Sequence, residues 1–130
     1  MNPILIFYVA GIDLASLSGS ATSVYVSIYG KDYARITMRD PEALPFYLAL
    51  GIGEAVLSNR LSYFYNLKGP SVTIDTGSSG GLVALHQACQ SIRAGESNQA
   101  IVGGVNLILE PVAMVGQSNM RYFFKCRYCA

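Results

Sequence analysis

Two adjacent hydroxyls, Ser78 and Ser79, stand in a run of small residues, Gly77-Ser-Ser-Gly-Gly81, and are the groups in this chain best suited to attack a carbonyl or to support an oxyanion. Val72 and Ile74 precede the run at strand spacing, and Leu82, Leu85, Cys89 and Ile92 follow it at helical spacing. The pattern predicts strand, tight turn and helix over residues 71–94. A hydroxyl in such a turn lies at a helix N-terminus, where unpaired N–H groups and the positive end of the macrodipole favour developing negative charge.

Gly77-x-Ser79-x-Gly81 has the spacing of a nucleophile elbow, with Ser79 as the nucleophile. An elbow hydrolase also needs an acid and a histidine downstream. The sole histidine, His86, lies on the same helix about 10 Å along the axis from Ser79, too far to act as its base. Thr76-Gly-Ser-Ser-Gly-Gly81 also fits the T-G-x-x-x-G phosphate loop of short-chain dehydrogenases. That loop belongs after the first strand and ahead of a Tyr-x-x-x-Lys pair; here it sits mid-chain and no such pair follows, which leaves a dinucleotide loop as the weaker alternative.

The remaining reactive side chains read as structural. Cys89 falls on the Leu82/Leu85/Ile92 face of the helix and is expected in the core. Cys126 and Cys129 have C-x-x-C spacing, but no second pair or histidine completes a zinc set, so neither metal nor cofactor is expected. Three cysteines and no signal peptide point to a reducing, cytoplasmic setting. The apolar run 4–10 is too short to span a bilayer. Nine Lys and Arg against eight Asp and Glu give a net charge of +1, without a basic footprint for nucleic acid. Charged residues make up 13% and hydrophobic residues 52% of the chain, a balance that suits the inside of a larger body.

The elements that must position the turn follow in order. Asn2-Pro3 is a helix start and Gly11 a stop, which predicts a helix over residues 3–10. Residues 16–22 read as a loop and Ser23 to Tyr29 as a buried strand. Asp40-Pro41-Glu42 caps a short helix ending before Gly51, and a second helix runs from Glu54 to Phe64. Gly95 closes the helix 79–94, and Ala100 to Leu109 forms another apolar strand ended by Glu110-Pro111. Strands alternating with helices imply an α/β fold with a mostly parallel sheet.

Three stretches, Asn59 to Thr76, Leu82 to Glu96 and Ala100 to Leu109, closely resemble the N-terminal half of β-ketoacyl synthases, and above all the ketosynthase domain of iterative fungal polyketide synthases of the reducing type. Residues 10–33, Arg39-Asp-Pro41 and Ser118 to Arg121 fit the same family, so that residues 1–130 read as one partial domain with its best-matched core at 51–121 and a divergent tail at 122–130.

The resemblance implies a thiolase-like half-domain, a mixed, mostly parallel sheet with helices on both faces. It also implies acyl transfer and decarboxylative condensation of acyl-carrier-protein thioesters, with no cofactor. In the family the turn reads Asp-Thr-Ala-Cys-Ser-Ser-Ser-Leu. The nucleophilic cysteine then falls on Ser78, the alanine on Gly77, and the second and third serines on Gly80 and Gly81. An alcohol is far harder to ionise than a thiol and needs a base, so Ser78 is expected to cap the helix, and the chain alone is expected neither to acylate nor to condense. The family's first strand, central between the strands matching 23–29 and 100–109, would precede residue 1, and its fifth strand and second half are also expected to be missing, as in a gene fragment. Strand 71–75 is expected at a sheet edge, pairing antiparallel with its two-fold mate in a homodimer or with a full-length synthase. A non-catalytic interaction module is therefore the alternative to an enzyme.

Overall fold

The computed structural model describes residues 14–120. In chain order these form α1 (Leu14–Leu17), β1 (Thr22–Tyr29), α2 (Asp32–Thr37), a 3₁₀ turn (Pro41–Ala43), α3 (Leu48–Ile52), α4 (Ala55–Phe64), β2 (Ser71–Ile74), α5 (Gly80–Arg93), β3 (Gln99–Asn106) and α6 (Pro111–Asn119). The predicted helix at 3–10 and the Cys126/Cys129 pair lie outside the described residues.

The three strands are all parallel in the order β2-β1-β3. β1 is the hub because its sequence is apolar or hydroxyl-bearing throughout, and its first six residues are buried. Alternation sends Val24 and Val26 to one face, against Leu17, Tyr65 and Leu67 with Leu57 and Leu61 of α4. It sends Tyr25 to the other face, against Ala84 and Ala88 of α5. Helices thus cover both faces of an α/β sheet, and among the described residues β2 lies at an edge, as expected. The expected vacancy between residues 23–29 and 100–109 does not exist. β1 pairs directly with β3 along eight residues, Thr22 with Gln99 through Tyr29 with Asn106, so that both of its backbone edges are used.

Two local departures have identifiable causes. The helix expected from Asp40 breaks into a 3₁₀ turn and α3, because Pro45 forces Leu44 into an extended conformation (φ −69°, ψ 130°). The last strand stops at Asn106, not Leu109. The buried carboxylate of Asp32 accepts hydrogen bonds from the Leu109 and Glu110 N–H groups at 3.1 and 3.2 Å, which draws the chain off the sheet and into α6. Pro111 then occupies a first-turn position, a helix start that reading it as a strand terminator overlooked.

Candidate functional site

The turn between β2 and α5 is built from its own polar groups. Asp75 Oδ1 accepts from Gly77 N–H at 3.0 Å, and Gly77 takes φ +65°, a conformation that favours glycine. Ser79 is the residue before the helix, yet its side chain makes no capping bond to α5. Its hydroxyl turns back and donates to Thr76 O at 2.9 Å and Thr76 Oγ1 at 3.0 Å, locking the turn. Ser79 is therefore a turn clasp, and the elbow reading fails for it on geometry as well as for lack of a base.

Ser78 differs from the expectation. It caps nothing, because the helix begins one residue later than a Ser78 cap requires and Ser79 occupies that position. Its exposed hydroxyl opens onto a groove of about 420 Å³ at the carboxyl ends of β1 and β3, where an open parallel sheet presents its ligand crevice. The walls include Ser27 and Tyr29 from β1, Gly81 from α5, Asn106 from β3 and Gln117 from α6. Gln117 Nε2 donates to the Tyr29 hydroxyl at 3.3 Å, tying α6 across the groove. None of these four polar side chains was marked by motif. Ser27, Tyr29 and Asn106 carried only the signal of a polar residue within or closing an apolar strand, and Gln117, on α6, carried none.

His86 lies on α5, eight positions past Ser78, and takes no part in the groove. Cys89 contradicts its assignment to the core: it is exposed, as are Leu82, Leu85 and Ile92 on the same face. Helix α5 packs through small residues instead, with Gly80, Ala84, Ala88 and Ser91 buried. This face wins because it lets the helix axis come close to the sheet. Gly80 has β1 so near that an added Cβ would lie 3.0 Å from Ser27 Cβ and on its hydroxyl.

Farther along the same end of the sheet, Lys31 and Glu54 form an ion pair. The Glu54 carboxylate raises the Lys31 pKa above its ordinary value of 10.5, first by hydrogen bonding and then by charge. Among the described residues no group of His, Cys, Asp and Glu has metal-binding geometry, and no helix is long and apolar enough to cross a membrane.

The sequence profile described as "Beta-ketoacyl synthase, N-terminal domain" matches residues 6–130. The highly reducing polyketide synthase cm3B of Cordyceps militaris is 54% identical over 114 residues, 88% of this chain and 4% of that protein. The hybrid PKS-NRPS synthetase apdA of Emericella nidulans is 54% identical over 111 residues, 85% of this chain and 3% of that protein. The chain thus spans 4% and 3% of the length of these two relatives. Among solved structures, the ketosynthase from module 6 of the bacillaene synthase of Bacillus subtilis 168 superposes with a TM-score of 0.75 at 32% identity, over 88% of this chain and 18% of that one. The oxazolomycin ketosynthase domain OzmH KS7 of Streptomyces albus JA3453 does so with 0.75 at 31% identity, over 89% and 20%. The fold is therefore thiolase-like, and the chain belongs to the β-ketoacyl synthase family, whose N-terminal domain contains the β2–α5 turn that carries Ser78.

Proposed function

We propose that this chain is the N-terminal part of a cytoplasmic acyl-transfer unit of polyketide assembly that receives acyl groups from carrier-protein thioesters, with Ser78 at the acyl-accepting position, and that the chain by itself neither acylates nor condenses. The observation that carries the reading is the unbonded, exposed hydroxyl of Ser78 beside the N-terminus of α5, in a turn whose family counterpart bears cysteine. The helix end would favour an oxyanion formed on an acyl carbonyl. It would equally favour a thiolate, but it cannot ionise an alcohol without a base, and His86 is out of reach.

Intact-protein mass spectrometry with an S-acyl-N-acetylcysteamine thioester tests this. The wild type should remain unmodified, while Ser78→Cys should gain one acyl group that peptide mapping assigns to residue 78 and not to Cys89. A stable acyl ester on Ser78 would refute the inactivity of the chain. A Ser78→Cys thiol no more reactive than Cys89 would remove residue 78 from the acyl-accepting role.

The edge position of β2 supports a second role, association with another copy or with a synthase through this strand. Val24 N–H bonds Pro70 O at 2.7 Å, so the ladder directs residues 70, 72 and 74 towards β1 and leaves the Thr73 N–H facing outward.

A further inference from the structure

The seam between α4 and β2 is polar where a helix and a sheet ordinarily meet through apolar side chains. Thr73 Oγ1 donates to Ser58 Oγ at 2.9 Å, and Ser58 is 1% exposed. Strand alternation sends the Ser71 side chain to the same face of β2 as Thr73, towards α4. The Ser71 hydroxyl oxygen is buried there and has no hydrogen-bond partner among the described residues. Buried hydroxyls are normally bonded, so this one marks a position at which a ligand atom would be held.

Ser71 lines a cavity of about 290 Å³ between α4 and β2. Besides Ser58, Ser71 and Thr73, its walls carry Asn59 and the carboxylates of Glu54 and Asp75, and no cationic side chain. Asn59 and Asp75 are exposed, which gives the cavity an open, acidic mouth. Glu54 is already paired with Lys31, which stands outside the lining. Asp75 has no ion pair among the described residues, and only its Oδ1 is engaged, by the Gly77 N–H. One carboxylate therefore remains uncompensated, beside a buried acceptor. An anion would be repelled, and the two carboxylates fall short of a metal-binding group.

We propose that this cavity binds a small organic monocation through an alkylammonium head, whose N–H groups donate to Asp75 Oδ2 and Ser71 Oγ. An ammonium carries three donors and no acceptor, which matches a lining rich in oxygen and poor in donors. The site does not depend on the acyl-transfer reading. Because Asp75 also holds the Gly77 N–H, occupancy is felt at the turn and can be read there.

The test is an amide-resolved NMR titration of the full chain with n-butylammonium chloride, and in parallel with tetramethylammonium chloride, which has the same charge and no N–H. Butylammonium should shift the Ser71, Thr73 and Gly77 amides saturably, and tetramethylammonium should not. Ser71→Ala should weaken butylammonium binding about 3- to 10-fold, and Asp75→Asn, which keeps an acceptor for Gly77 but removes the charge, about 10-fold or more. Either variant serves if the other fails to fold. No response to butylammonium, an equal response to tetramethylammonium, or an affinity unchanged in a folded Ser71→Ala or Asp75→Asn protein overturns the site.

Discussion

Restoring serine at residue 80 should destabilise the protein, and removing the Ser27 side chain should reverse most of that loss. In the wild type, Gly80 is buried against β1, and a new Cβ would sit 3.0 Å from Ser27 Cβ and on its hydroxyl. Either Ser27 leaves its rotamer, at about 0.5–1.5 kcal/mol, or α5 lifts from the sheet, for which overpacking costs of about 1–3 kcal/mol are typical. Gly80→Ser alone should therefore cost about 2 kcal/mol. Ser27→Gly breaks no hydrogen bond within the chain and should cost about 0.5–1 kcal/mol through backbone freedom. If the two effects were independent, the double variant would lose close to 3 kcal/mol. With the clash relieved it should lose about 1, a coupling of about 2 kcal/mol. Urea unfolding reads this as a fall of about 1 M in the midpoint for Gly80→Ser, mostly recovered in the double variant with an unchanged slope. Strict additivity, or a Gly80→Ser protein as stable as wild type, would show that Ser27 and residue 80 do not compete for one space.

Asp32→Ala should cost about 2–4 kcal/mol, because the carboxylate serves two N–H groups and the loop before α6 depends on it; Asp32→Asn should recover part of the loss. Hydrogen exchange at the Leu109 and Glu110 amides is the local check, and unchanged protection in Asp32→Ala would count against the clamp. Thr73→Pro removes an outward N–H and should abolish self-association by analytical ultracentrifugation. Thr73→Val, which keeps that N–H but also loses the 2.9 Å bond to Ser58, should still associate. A monomeric wild type at high concentration, or an unchanged proline variant, would move the interface elsewhere.

Much of the scaffold was legible in the sequence because its signals were local. The β-branched run in β1, the glycine at φ +76° after α5 and the small-residue turn each announce themselves over a few positions. What misled was orientation. On α5 the larger side chains, Leu82, Leu85 and Ile92, suggest a buried face, but the close approach of helix and sheet selects the glycine and alanines on the opposite side. Ser78 was wrongly made a cap, because a preference for hydroxyls at helix starts does not say which of two adjacent serines takes the position. Gln117 was invisible for a different reason: it reaches the groove from a helix that only the tertiary fold brings beside β1.

The central place of β1 has a consequence for how the chain is made. This strand is synthesised before both of its partners, and ribosomes add about 5–20 residues per second. Ser71 of β2 follows it by roughly 50 residues and Gln99 of β3 by roughly 80, so an apolar strand waits several seconds with both edges bare. Pairing at such sequence separation is slow even once the residues exist. Among the described strands, the first to be made thus waits longest for its neighbours, and during that interval it is a segment a chaperone would shelter.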